Sequence, residues 1–288
     1  MSHAPTYRWP NGNAVAVSLS FDFDGETPFL WRTRDINRSV IGEMEQRRFG
    51  PRVGIYRILD VLKQWHIKAT FFVPGLIAER YPEAVEAIVR DQHEIGLHGY
   101  VHERVDEIDD GTLDWTIAAA KQKLEDITGR PVCGYRSPSW EMTPAVFAAL
   151  KRHGLTYDSS LMGYDHPYWM EGVPEVPVQW LLDDAIFYRY VGGGQANPPQ
   201  RPSHVYRLWE EEYTGLRAYG GLFLLTMHPW ISGRASRIAA LERLIRRIRS
   251  HHDVWWATCQ EVADYHSTHY VSQFHETASE RLWGGPHG

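Results

Sequence analysis

Cysteine is scarce: Cys133 and Cys259 are the only two in 288 residues. Neither sits in a zinc-knuckle or redox-pair pattern, and two cysteines do not make a disulfide framework. No apolar run approaches the ~18 residues of a membrane span. The opening Met1-Ser2-His3-Ala4-Pro5-Thr6-Tyr7 lacks the charged-then-apolar pattern of a signal segment. These absences predict a cytoplasmic protein without a membrane partner. Positive charge is not in excess either. The formal net charge is −6 and the pI about 6.2, which argues against a nucleic-acid partner. No internal repeat is present. No Gly-rich phosphate loop follows the first apolar run, and no GxSxG elbow occurs, which disfavours a dinucleotide-binding sheet and a serine hydrolase.

Hydrophobic residues make up 43% of the chain, enough for a substantial core. There are 12 tryptophans, which suit either core packing or an aromatic-lined pocket or subunit interface. Apolar runs at Ala14–Ser20, Lys68–Val73, His93–Leu97, Val132–Tyr135, Leu155–Asp158, Gly221–Met227 and Val254–Trp256 read as strands. Helical spacing separates them at Val53–Trp65, Pro82–Asp91, Thr112–Ile127, Thr143–His153, Ser203–Tyr219, Arg237–Ser250 and Cys259–Tyr265. Strands alternating with helices, with polar residues at strand ends, predict a single α/β domain over residues 1–288. Its expected form is a distorted barrel of about seven parallel strands, ahead of an open doubly wound sheet. Thr27–Arg52 and Ser159–Pro202 read as long irregular stretches. The polar tail from Ser267 is expected to be loose or to reach a neighbouring subunit.

The chemistry concentrates at two strand ends. Phe21-Asp22-Phe23-Asp24-Gly25 closes the first strand, and residues two apart on a strand share a face, so Asp22 and Asp24 look out together. Leu97-His98-Gly99-Tyr100-Val101-His102-Glu103 ends the third. Its histidines stand four apart and would point at one spot if the backbone turned helically there. A lone HxxxH among 15 histidines is weak, and a lone DxD weaker. In parallel barrels, however, such ends converge. Two histidines and one carboxylate form a facial ligand set with open positions, and the remaining carboxylate could take a proton from water.

Other strand ends supply further candidates. Arg136 would hold Asp22 ionised, and His228 could protonate a leaving nitrogen. Asp158 could orient His228, or could instead cap a turn at Asp158-Ser159-Ser160. Trp140 and Trp230 would line a pocket if the ends converge. No task is evident for Asp183 and Asp184.

FDFDG, HGYVH, YRSPSW, DSS and a strand ending in HP occur in that order in the polysaccharide deacetylase superfamily, which this chain resembles from about residue 14 to residue 266. The resemblance implies a distorted (β/α) barrel with a divalent metal, commonly zinc. Asp24, His98 and His102 would be its ligands, Asp22 the general base, Arg136 its partner and His228 the general acid. Most members carry adjacent aspartates before the glycine; here Phe23 intervenes. That spacing is similar to a cytoplasmic branch containing cyclic imide hydrolases, peptidoglycan deacetylase-like proteins and metal-independent allantoinases. Thr70–Gly75, Trp180–Asp184 and His228–Arg234 are also similar to that branch.

These readings combine into a metal-dependent hydrolase of a non-peptide C–N bond, acting on a small cyclic imide or ureide. A backbone N–H near Tyr135 would steady the oxyanion. Deacetylation of an N-acetylated sugar or glycan is the alternative, and a non-catalytic carbohydrate-binding barrel is a third reading. A homo-oligomer, dimer or tetramer, is expected, with the long stretches and the tail covering the barrel mouth.

Overall fold

The computed structural model describes residues 7–36, 41–190 and 198–278. Its strands, in chain order, are β1 (Val15–Asp22), β2 (Thr70–Val73), β3 (Glu94–Leu97), β4 (Gly134–Tyr135), β5 (Tyr157–Asp158), β6 (Tyr168–Met170), β7 (Val173–Glu175), β8 (Leu222–Met227), β9 (Val254–Trp256) and β10 (His275–Glu276). The seven expected from sequence are all present. They pair in parallel around β1, which lies between β8 on one side and β2 and β9 on the other. The sheet runs β10-β6-β7-β5-β4-β3-β2-β1-β8, with β9 off that path. A parallel bridge from Asp183 to Thr226 carries the segment after β7 across to β8. The result is the curled, mostly parallel half-barrel with outer helices that the sequence predicts.

All eight residues of β1 are buried, as expected of a parallel strand covered on both faces. Its two faces differ in chemistry. Val15, Val17, Leu19 and Phe21 join the cluster shared with the helices. Ala16, Ser18, Ser20 and Asp22, alternating with them, form an increasingly polar row. Ser18 Oγ donates to the Ala257 carbonyl, and Ser20 Oγ lies 3.1 Å from Thr226 Oγ1. That row rises to Asp22. Phe23 then turns into the helix-side core, fully buried, and Asp24 returns toward the strand ends. The residue separating the aspartates is thus a core anchor.

Two expectations are corrected. The stretch from Thr27 is not a loop. It forms helices Thr27–Arg32 and Ile41–Phe49 and a π-helical turn Gly50–Gly54 that leads into helix Ile55–Gln64. Its six arginines and the Gly50-Pro51 pair hid this amphipathic packing. The tail does not hang free up to residue 278: β10 pairs β6, and Tyr270 stacks on Tyr7 at 4.2 Å. Residues 191–197, part of the second irregular stretch, lie outside the described residues.

Gly54 sits where the helix behind the site meets the Pro229–Ser232 turn. A Cβ there would collide with the Pro229 carbonyl, and Gly233 presses on Gly54 from the other side. Gly54→Ala should destabilise the fold by about 1–3 kcal/mol, the usual cost of overpacking. Gly215→Ala, in helix Pro202–Tyr219 with open space around its Cβ, should stabilise it by about 0.5–1 kcal/mol. Denaturant titration of both variants checks the contrast.

Candidate active site

Asp22, at the end of β1, and Asp24, two residues on, meet His98 and His102 from the segment after β3. One ligand atom from each of Asp24, His98 and His102 falls within a 4.8 Å set. The His98–His102 segment is not helical. It turns through left-handed residues, Gly99 at φ 67° and His102 at φ 62°. The buried Glu103 carboxylate holds that turn by accepting from the Tyr100 and Val101 N–H groups, at 2.9 and 2.7 Å. Ser139 and Trp140 on the facing wall also have positive φ, at 60° and 58°. Non-glycine residues held there cost on the order of 1–3 kcal/mol each. Their gathering at one cavity is where a fold stores strain for function.

Arg136 is fully buried and donates to Asp22 Oδ1 at 2.7 Å, Ser20 Oγ at 2.9 Å and the Ser159 carbonyl at 2.8 Å. Burial alone would raise the Asp22 carboxyl. Arg136, with His98 and His228, outweighs it and holds Asp22 below the usual carboxylate range. The Arg136 carbonyl lies 2.7 Å from His98 Nδ1. With Nδ1–H spent on that carbonyl, His98 Nε2 keeps its lone pair for the site, 3.4 Å from Asp24 Oδ1.

These residues fit a divalent cation. Asp24 Oδ1 is buried with no hydrogen-bond partner among the described residues. Burial raises the Asp24 carboxyl despite His228 and His98, a cost that a bound cation would remove. Burial and then His98 push His102 well below its ordinary value, which leaves a neutral imidazole suited to ligation.

On the other wall His228 ends β8. Its Nδ1 lies 2.7 Å from Asp184 Oδ1, and Asp184 Oδ2 accepts from the His228 N–H at 2.9 Å and from Ser232 Oγ at 2.5 Å. Burial would lower His228, but Asp184, Asp24 and Asp183 overcome it and hold the ring protonated well above its ordinary value. Asp183 faces the same cavity; burial raises it to about 7, with His228 opposing. His228 Nε2 is 3.5 Å from Asp24 Oδ2, so acid and ligand sets share one floor.

Two sequence expectations are corrected here. Asp158 does not orient His228; Asp184 does. Asp158 Oδ1 accepts from Ser160 Oγ, and its other oxygen faces Glu175, at the β5–β7 register Asp158↔Glu175. Tyr135 is buried in β4 beneath the cavity, its carbonyl accepting from the Ser159 N–H, and does not line the cavity wall. Asp184 was legible only as part of an unassigned Asp-Asp pair. What distinguishes it is the bridge that lays residues 183–184 against β8, which no local pattern shows.

The cavity over these residues measures about 420 Å³. Trp140, Trp180 and Trp230 line it, with Trp140 and Trp180 stacked at 4.4 Å between centroids. Pro28 and Arg47 come from the first long stretch, and Trp180, Asp183, Ala185 and Arg189 from the second; among the described residues, the tail up to residue 278 contributes nothing to the wall.

Fold and site together define a hydrolase-type barrel with a carboxylate–histidine centre. The polysaccharide deacetylase family model matches residues 49–157. A Mycobacterium smegmatis structure assigned to the polysaccharide deacetylases is 35% identical, with a TM-score of 0.90 over 96% of this chain and 98% of its own. The peptidoglycan deacetylase of Helicobacter pylori is 29% identical over 250 residues, 75% of this chain and 84% of its own. An allantoinase structure, 24% identical over 93% of this chain and 95% of its own, shares the fold with a TM-score of 0.78. The chain belongs to the polysaccharide deacetylase superfamily.

The Asp158–Glu175 contact has a consequence for stability. Asp158 Oδ2 and Glu175 Oε2 are both buried without a partner among the described residues, an arrangement that suits one proton held between them. Burial and then Asp158 push Glu175 well above the usual range. A carboxyl with a raised folded-state pKa keeps a proton that the unfolded chain releases above about pH 4. Its contribution is therefore whole below that pH and is lost as pH climbs through the raised value. Glu175→Gln keeps a donor with no proton to lose. Thermal unfolding across about pH 5–9 should show wild type losing more stability with rising pH than Glu175→Gln.

Proposed function

We propose that this protein is a metal-dependent hydrolase of a non-peptide C–N bond in a small cyclic imide or ureide. The observation that carries the reading is the cavity: about 420 Å³, walled by three tryptophans, directly above the aspartate–histidine floor. That volume suits one ring and a substituent, at the low end for small-molecule sites. Divalent metal, zinc by the nature of the two-histidine, one-carboxylate set, would be held by Asp24, His98 and His102. When bound it supplies a Lewis acid for the carbonyl and lowers the pKa of water.

The chain's own residues do the rest. Asp22, kept ionised by Arg136, takes the proton of the attacking water. His228, protonated and fixed through Nδ1 by Asp184, gives its proton to the leaving nitrogen. Trp140 and Trp180, stacked on each other, wall the cavity beside the ring and restrict water. The second reading, removal of an acetyl group from an N-acetylated sugar, is supported by the deacetylase relatives and would use the same residues.

Three variants test the division of labour. His98→Ala and His102→Ala should lose metal, read by elemental analysis. Asp22→Asn should keep it while turnover falls about 10²–10⁴-fold, the usual worth of a positioned base. Full activity in protein free of metal would overturn the assignment. Turnover of succinimide and hydantoin, against chitooligosaccharides, separates the two substrate readings.

A further inference from the structure

The cavity walls carry opposite electrostatics. On one side Arg104 is matched by Asp106 at 2.6 Å and Glu107 at 3.6 Å, with Glu141 beside it in the lining. On the other side stand Arg47 and Arg189. Arg47 is 2% exposed, and its guanidinium lies 4.7 Å from the ring centroid of Trp230, two residues after His228. Its Nε and one Nη both point at Glu43 Oε1, at 3.2 and 3.1 Å. Arg32 claims that same oxygen at 2.6 Å. One carboxylate therefore serves two guanidiniums, and the group keeps a net positive charge.

Arg189 adds a second. No carboxylate among the described residues pairs with it within salt-bridge distance, and its charge bears on Arg47. Burial pushes Arg47 down from its ordinary value, and Arg189 acts in the same direction against Glu43. Two cations near each other at a half-closed cavity repel unless an anion lies between them. Trp230, which lines the same cavity, also carries a donor. Trp230 Nε1 is buried with no partner among the described residues. Glu43 and Asp24 offset only part of the charge of two arginines here, which suits an acceptor-only, negatively charged group, and arginines take a carboxylate in fork geometry.

We propose that Arg47 and Arg189 receive a carboxylate carried by the substrate, so that the ring opened or deacylated over Asp24, His98 and His102 is an anionic one. This rests on the reading of the cavity as a C–N hydrolase site. It holds whether the scissile group is a ring amide or an acetamide. The carboxylate is bound, not transformed: it anchors the end of the substrate remote from the scissile carbonyl.

Two matched pairs of ligands test this on the metal-loaded full chain, read by quenching of the cavity tryptophans rather than by turnover alone. They are hydantoin with hydantoin-5-acetate, and N-acetylglucosamine with N-acetylmuramic acid. In at least one pair the carboxylated member should bind about tenfold or more tighter, the worth of a charge-assisted hydrogen bond. Arg189→Gln, a change at the exposed rim, should cancel most of that advantage and raise KM more than it lowers kcat. Arg47→Lys, which keeps charge but loses the fork, should cancel part of it. A preference in the hydantoin pair supports both the anion site and the small-ring reading. A preference in the sugar pair alone keeps the anion site and discards the small-ring reading. The proposal is overturned if neither carboxylated member binds more tightly than its partner, or if the advantage survives Arg189→Gln.

Discussion

The site depends on one buried ion pair. Arg136 and Asp22 meet at 2.7 Å with both side chains out of water. Such a pair is tolerable only when nearly every donor and acceptor is used. Arg136 meets that demand across the barrel: β1 through Asp22 and Ser20, the end of β5 through the Ser159 carbonyl and hydroxyl, and Phe72 beneath its guanidinium at 4.1 Å. Its carbonyl fixes His98 Nδ1. A single residue thereby keeps the proposed base ionised and sets which nitrogen of a proposed ligand faces the site. Ser20 on the inner face of β1 follows from the same demand, since an apolar residue there would remove one of the guanidinium's acceptors.

The fold was largely legible because parallel strands buried on both faces read as continuous apolar runs. Val15–Asp22 and Leu222–Met227 are of that kind. The three strands not foreseen are short and lie where pattern is weakest. β6 and β7 form an antiparallel hairpin inside a Pro- and Trp-rich stretch, and β10 is two exposed residues. Deacetylase-superfamily membership was legible from ordered motifs spread over most of the chain, and fold and relatives agree with it.

Within the site, strand-end reasoning gathered Asp22, Asp24, His98, His102, Arg136 and His228, which the structure brings together. It failed for Asp158 because adjacency in a sheet is not given by order along the chain. β5 lies between β4 and β7, and β8 lies beyond β1, so the end of β5 finds Glu175 rather than His228. It could not find Asp184, whose position follows from a long-range backbone bridge. Nor could it foresee that His102 reaches the site through a left-handed turn held by Glu103, since four-residue spacing is equally compatible with a helix.

The bridge between Asp183 and Thr226 divides the molecule in an unexpected place. The base side, with Asp22, Arg136 and His98, is laced through the continuous ladder β1–β2–β3–β4–β5. The acid side joins that ladder differently. His228 rides on β8, and its orienting residue Asp184 reaches β8 on the crossing segment, through the Asp184 N–H to the Thr226 carbonyl at 3.1 Å and the isolated bridge beside it, while the His228 N–H and Ser232 Oγ donate to its carboxylate. The proposed base and the proposed acid's tether therefore enter the sheet by different routes, one through a ladder and the other through a single bridge. The join is a hinge pin in the mechanical sense: one backbone contact sets the angle at which a carboxylate from outside the ladder meets a ring carried by the ladder.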